Sequence, residues 1–322
     1  MRAVQVQTPG GPEVLVAAEV ADPEAGPGEL LVRVAAAGVN YIDTYHRTGA
    51  YPLPTPFVPG LEGAGEVIAV GDGVSRFKVG DRVAWAAAIG SYAELAKVAE
   101  AGAVAVPDGV ELDVAAGAML QGMTAHYLTR STYPVQSGDT VLVHAAAGGM
   151  GLLLTQSVKA LGGRVIGTVS TAEKEKLARE AGADEIIRYT ETEIAPEVRR
   201  LTDGQGVAVV YDGVGKDTFD ASLASLRIRG TLALYGAASG PVPAFDLQRL
   251  NAAGSLFVTR PTLGHHVLTR EELDWRAGEV FAAIQAGRLT IAISGRYPLA
   301  DAGRSHEDLQ ARRTTGKLLL IP

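Results

Sequence analysis

Residues 138–163 read GDTVLVHAAAGGMGLLLTQSVKALGG, and this stretch decides the fold. Positions 140–145 are a short, valine-rich apolar run, the pattern of a strand buried on both faces. A turn of small residues follows, AAAGGMG, and then an apolar helix pattern (Leu152 to Leu154, Val158, Leu161) that stops at Gly162 and Gly163. Strand, glycine turn and helix in that order predict a dinucleotide-binding unit. The pyrophosphate of the ligand sits on free N–H groups at the helix N-terminus, and only small residues admit the backbone that close. Against G-x-G-x-x-G the three positions are Ala146, Gly148 and Gly151, so the first glycine is absent. On its own the pattern equally describes a tight βα turn. Strand–helix alternation for about a hundred further residues supports the nucleotide reading.

The chain has 322 residues, enough for two domains. Its 29 basic and 36 acidic side chains give a net charge of −7, which argues against nucleic acid or an anionic membrane as main partner. There is no cysteine, so disulfides, thiolate metal sites and a cysteine nucleophile are excluded. The opening MRAVQVQTPGG lacks the apolar core of a signal peptide, and no segment approaches a membrane span; a cytoplasmic protein is expected.

From Met1 to about Gln121 the pattern is strand-like: 14–20, 29–39, 63–71, 81–86 and 91–98 read as strands separated by turn residues. An all-β module, closed as a barrel, is expected there. Residues 111–132 change to helical spacing and form a hinge. After the nucleotide unit come a strand at 163–169, a helix at 172–182, a strand at 185–187 and a helix with Pro196 in its first turn. Strands at 207–215, 231–236 and 255–260 complete the set, with TFDASLASLRIRG read as one helix between the first two. This alternation predicts a doubly wound parallel sheet. Thr269-Arg270-Glu271-Glu272 is a capping box opening a helix through Gln285, and 316–322 is a last strand rejoining the first module. The expected domains are 1–123, 124–262 and a return over 263–322.

The second strand of the nucleotide unit selects the cofactor. An NAD site places an acidic residue at that strand's tip, whereas here the tip reads Gly167-Thr168-Val169-Ser170-Thr171, with Lys174 one turn on. A hydroxyl followed by a lysine suits a 2′-phosphate and hence NADPH. The alternative makes Lys174 a solvated residue and Ser170 a helix cap. Arg260, at the C-terminal end of a strand, reads as a cofactor contact or a surface ion pair.

NYIDTYHRTG (40–49), YP (51–52), PGLEGAGEV (59–67), AAAGGMG (145–151), YDGVG (211–215), VTRP (258–261) and the terminal RRTTGKLLLIP together resemble the zinc-independent quinone oxidoreductases of the medium-chain dehydrogenase/reductase superfamily. The likeness runs from Met1 to Pro322. It implies a GroES-like β-barrel catalytic domain with a Rossmann domain, NADPH as cofactor, a homodimer paired through the Rossmann sheets, and quinones or related conjugated carbonyls as substrates. Zinc-dependent relatives carry Gly-His-Glu where this chain has Gly60-Leu61-Glu62, and leucine ligates no metal, so no metal site is expected.

The resemblance also implies site residues. Asn40 hydrogen-bonds near the nicotinamide, and Tyr45 and Tyr51 flank the acceptor, each offering a stacking face and a hydroxyl for a developing oxyanion. Tyr51 reads alternatively as loop packing, and Asp43 as the cap of a local turn rather than a proton carrier. Thr124 and Tyr127 lie in the hinge, Gly148, Gly149, Met150 and Gly151 hold the pyrophosphate, and Ser170 and Lys174 meet the 2′-phosphate. Tyr189 lies near the adenosine half; Val214, Gly236, Ala237 and Ser239 lead towards the nicotinamide, followed by Val258, Arg260 and Arg312. His144 reads as a satisfied core residue, and His46, His126 and His306 show no supporting acid. Without metal or nucleophile, hydride transfer to a quinone fits, since cofactor and acceptor carry the driving force. Reduction of α,β-unsaturated ketones or aldehydes, and nucleotide binding with little turnover, are the competing readings.

Overall fold

The computed structural model describes residues 1–322, which divide into two units: Met1–Met123 with Val267–Pro322, and Thr124–His266. The first segment supplies β1 (Arg2–Gln5), β2 (Val16–Glu19), β3 (Glu29–Val39), α1 (Tyr41–Thr48), β4 (Glu62–Val70), β5 (Arg82–Trp85), β6 (Leu95–Ala99) and β7 (Val104–Ala105). Helix α2 (Leu112–Tyr127) follows, and the unit boundary falls inside it.

The second unit holds β8 (Thr140–Val143), α3 (Gly149–Ala160), β9 (Arg164–Val169), α4 (Ala172–Glu180), β10 (Glu185–Arg188) and α5 (Ile194–Leu201). It continues with β11 (Val207–Asp212), α6 (Phe219–Ser225), β12 (Leu226–Leu234), α7 (Gln248–Ala252) and β13 (Phe257–Thr259). All six strands are parallel, in the order β10-β9-β8-β11-β12-β13. The chain order runs outward from β8 to one edge and from β11 to the other, so the sheet is doubly wound with its switch point between those two strands. That is where open α/β sheets bind ligands, beyond the carboxyl ends. Every residue of β11 is buried, as its near-continuous apolar sequence requires of a central parallel strand.

The tail returns to the first unit with α8 (Arg270–Gln285), β14 (Ile293–Pro298), α9 (Ala302–Gln310) and β15 (Lys317–Ile321). Thr269 caps α8 and Glu272 completes the capping box, as the sequence predicts. Strand β3 is the hub of this unit. One edge pairs with β4; the other is shared, β6 taking Glu29–Arg33 and β15 taking Ala37–Val39. The first half of β3 alternates buried (Leu30, Val32, Val34) with less buried residues, as a one-sided strand should. A register shift between Val34 and Ala36 then breaks the alternation, and Ala36 to Val39 are all buried. Gly38 explains why: a Cβ there would stand 2.6 Å from the carbonyl oxygen of Ala116 in α2.

Two local readings are corrected. The peptide TFDASLASLRIRG is not one helix: α6 ends at Ser225 and Leu226 to Gly230 begin β12. Leu226 pairs with Val207 and buries its side chain, which a continued helix would withdraw from the core. Residues 41–48, lying within a stretch read as all-β, form a helix. Asn40 precedes it, and the Asp43 carboxylate reaches back to the Asn40 N–H.

Candidate active site

In the Thr124–His266 unit the sequence-predicted cofactor residues, apart from Thr124 and Tyr127, lie at or near the carboxyl ends of the parallel strands. Past β8, Ala145 adopts a left-handed backbone (φ 50°) that aims the chain into the glycine turn. Gly148 occupies the N-cap of α3 and contributes no side-chain cap. The helix's own ladder starts with Leu152 N–H on the Gly148 carbonyl (2.9 Å), so the N–H groups of Gly149, Met150 and Gly151 lie outside it. Bare backbone donors at a helix N-terminus make a site for an anion, and the residues here fit a dinucleotide pyrophosphate.

Beyond β9, Thr171 caps α4, its Oγ1 accepting from Lys174 N–H at 3.3 Å. The cap is therefore Thr171 and not Ser170, whose carbonyl instead accepts from Thr190 Oγ1 at 3.1 Å. That bond places Ser170 beside the end of β10, where Tyr189 donates its N–H to the Val169 carbonyl. After β11 and β12 two loops interlock: Ser239 donates both its N–H and its Oγ–H to the Val214 carbonyl (2.8 Å each), with Gly236 and Ala237 between. A Cβ at Gly236 would stand 2.5 Å from the Gly213 carbonyl oxygen, so glycine is required for this closeness. Val258 lies in β13 opposite Leu232, and Arg260 follows it, exposed. Thr124 and Tyr127 are buried in α2; Tyr127 is 1% exposed, with its ring stacked on His266 (centroids 4.2 Å apart, 5° between planes).

The other unit carries Asn40, Tyr45, Tyr51 and Arg312. Tyr51 folds back on α1, its N–H donating to the Tyr45 carbonyl (3.1 Å) and its ring lying 5.2 Å from that of Tyr45 at 61°. Tyr51 is 44% exposed, so an aromatic pair with hydroxyls stands at the surface of this unit. Arg312 lies in the turn after α9, in a left-handed conformation (φ 57°).

Asn40 is 2% exposed, and its amide is held by two residues that sequence reasoning passed over. Its Nδ2 donates to Glu62 Oε2 (2.7 Å), and its Oδ1 accepts from Lys317 Nζ (2.7 Å). Lys317 and Glu62 form an ion pair at 2.5 Å with both side chains removed from solvent, and Glu62 Oε1 also accepts from Leu120 N–H. The available signal was a charge set among the apolar and small residues of each strand, Glu62 opening EGAGEVIAV and Lys317 opening KLLLI.

Asp43 is fully buried, and burial lifts its carboxyl to about 7 against the pull of its hydrogen bonds. Its Oδ2 accepts from Asn40 N–H (2.8 Å) and Tyr92 Oη–H (2.9 Å). Tyr92 Oη meets His306 Nε2 at 3.1 Å, and His306 Nδ1 meets Arg47 Nη1 at 3.2 Å. His306 thus does reach an acid, through Tyr92, contrary to the sequence reading. Burial and then the neighbouring guanidinium press its imidazole down to about 3, so it is neutral and accepts from Arg47. The network pins α1 in its first turn, through Asp43, and in its last, through Arg47.

Residues 26–108 match the alcohol dehydrogenase GroES-like domain, and residues 149–277 match the zinc-binding dehydrogenase domain. The residues of this chain do not fit the metal in that second description. There is no cysteine, and no three His, Asp or Glu side chains are grouped to hold an ion. The quinone oxidoreductase of Pseudomonas aeruginosa is 50% identical over 321 residues, 99% of each chain. A mycobacterial structure complexed with NADPH is 56% identical with a TM-score of 0.98, each chain fully covered. The Escherichia coli quinone oxidoreductase complexed with NADPH is 42% identical, also at a TM-score of 0.98 and full coverage of both chains.

Proposed function

The chain belongs to the quinone oxidoreductase family of the medium-chain dehydrogenases and reductases, and on that premise we propose that it reduces quinones with NADPH and without a metal. One observation carries the reading: α3 opens on Gly148 and Gly149 with no side-chain cap, at the switch point of a doubly wound sheet. When bound, NADPH supplies the hydride that an electron-poor quinone accepts. The chain's own residues bind and orient. Gly148, Gly149, Met150 and Gly151 hold the pyrophosphate; Ser170 and Lys174 meet the 2′-phosphate, and Tyr189 flanks the adenosine half. Val214, Gly236, Ala237 and Ser239 lead to the nicotinamide, with Val258, Arg260, Arg312, Thr124 and Tyr127 completing the set. Asn40, its amide locked by Glu62 and Lys317, hydrogen-bonds on the nicotinamide side. Tyr45 and Tyr51 stack on the acceptor and donate hydroxyl hydrogen bonds to its oxygen as negative charge develops there.

The reading includes a cytoplasmic homodimer, consistent with an edge strand, β13, on which Phe257 is 60% exposed. No helix is long and apolar enough to cross a membrane.

Purified protein should oxidise NADPH faster with 1,4-benzoquinone than with an enal; the reverse order would replace the quinone with a conjugated carbonyl as substrate. Lys174→Ala should raise the Kd for NADPH about 10- to 100-fold, the worth of a charge-assisted contact, and leave NADH nearly unchanged. Equal losses for the two nucleotides, read by fluorescence titration, would remove the 2′-phosphate assignment.

A further inference from the structure

Behind the glycine turn runs a buried hydrogen-bonded chain of side chains that lie outside the binding set. Ala145 N–H donates to Thr168 Oγ1 (3.3 Å), and Thr168 Oγ1 meets His144 Nδ1 (3.1 Å). His144 Nε2 meets Ser222 Oγ (2.9 Å), and Ser222 Oγ–H donates to Asp212 Oδ2 (2.7 Å). Asp212 Oδ1 accepts from the N–H groups of Val214 and Gly215 (2.8 and 3.0 Å), and Thr218 Oγ1 donates to the same carboxylate. His144, Thr168, Asp212 and Ser222 are all buried, at 1% exposure or less.

With the buried imidazole held neutral, the donors follow from the partners. The carboxylate only accepts, so Ser222 donates to it and must itself accept from His144 Nε2–H. Nδ1 then carries the lone pair and accepts from the Thr168 hydroxyl, whose oxygen accepts from Ala145 N–H. Each hydrogen is used once and the imidazole is neutral, the state that burial favours. The two ends of this chain are the turn at 145–151 and the turn at 212–215. Ala145 holds the left-handed backbone that starts the first, and the Thr168 carbonyl also takes Ala146 N–H.

We propose that His144 is a positioning residue for the nucleotide: with Thr168 on one side and Ser222 and Asp212 on the other, it fixes both ligand-facing turns in one rigid frame. The inference rests on the reading that this edge of the sheet takes NADPH. A bridge between hydroxyls on β9 and α6, reached from the end of β8, needs one side chain with a donor and an acceptor on opposite edges. Imidazole has that geometry, and the satisfied chain holds the turns in the shape the ligand needs.

The test is fluorescence titration with NADPH of the full-length protein and of two hydroxyl deletions at opposite ends of the bridge, Ser222→Ala and Thr168→Val. Each should raise Kd about tenfold. The double variant should be little worse than either single one, because one break already frees the imidazole. Thr155→Val removes a buried hydroxyl on α3 that has no partner and should leave Kd unchanged. By 15N NMR, His144 should show a protonated Nε2 and a bare Nδ1 in the wild type, and a mixture of tautomers in Ser222→Ala. Falling melting temperatures with Kd within about twofold of the wild type in both single variants would reduce the chain to core packing and overturn the proposal. Failure of the wild type to bind NADPH would instead remove the functional reading, and this inference with it.

Discussion

Gly151→Ala should weaken NADPH binding by about 100-fold, the upper end of the loss expected for Lys174→Ala. A Cβ at position 151 would fall inside van der Waals contact of the Ala145 carbonyl oxygen, 2.6 Å from Ala146 Cα and 2.7 Å from its carbonyl carbon. These are backbone atoms of the turn itself, so no side-chain rotation relieves the overlap; either α3 or the turn must move. Overpacking of this kind costs about 1–3 kcal/mol, and each 1.4 kcal/mol is tenfold in affinity. Gly148→Ala is the informative contrast. Its Cβ would lie 3.2 Å from the same carbonyl oxygen with an unstrained backbone (φ −78°), so the fold should tolerate it while the ligand's approach suffers. Titration together with thermal melting separates the two. An unchanged Kd in Gly151→Ala would mean that the turn does not carry the nucleotide.

The second large effect is on stability. Lys317→Met leaves the buried Glu62 without its cation, with Asn40 and the Leu120 N–H as its remaining partners. Breaking a buried pair by removing one partner costs about 3–5 kcal/mol, because desolvation of the survivor is no longer offset. Urea denaturation should show that loss, and Lys317→Met combined with Glu62→Gln should recover a good part of it. Turnover with a quinone should fall in the single variant as well, since the Asn40 oxygen loses its donor. A loss below about 1 kcal/mol would show that the pair is solvated in solution.

Much of this molecule is written locally. The apolar runs at 140–143, 164–169 and 207–212, the small-residue turn after the first and the box at Thr269 are decided by residues a few positions apart, and each formed as expected. Helix α1 was obscured because Tyr41-Ile42-Asp43-Thr44-Tyr45 is rich in aromatic and β-branched residues, poor helix formers in isolation. Its stability comes from Asp43 on the Asn40 N–H, and from Arg47 and Asp43 reaching His306 and Tyr92 far along the chain. The start of β12 was hidden for a related reason: Leu226 follows a helix without a glycine, and only its pairing with Val207 converts it to strand. In the site, the glycines and Lys174 are legible because motif spacing places them. Glu62 and Lys317 are not, because the bond that joins them spans 255 positions and no local pattern announces it.

The shared edge of β3 has a consequence for how the polypeptide is made. Asn40 must wait 277 positions for the ammonium that holds its amide, and β3 lacks its β15 neighbour until the same moment. The contiguous Thr124–His266 stretch has no such dependence and can close as soon as it leaves the ribosome, reversing the usual rule that the first-made domain matures first. A chain cut short before Lys317 would leave Glu62 without its cation and β3 with an open edge, a template for pairing with other chains. The first unit therefore acquires its full β3 edge and its buried ion pair only when the strand opening at Lys317 is in place.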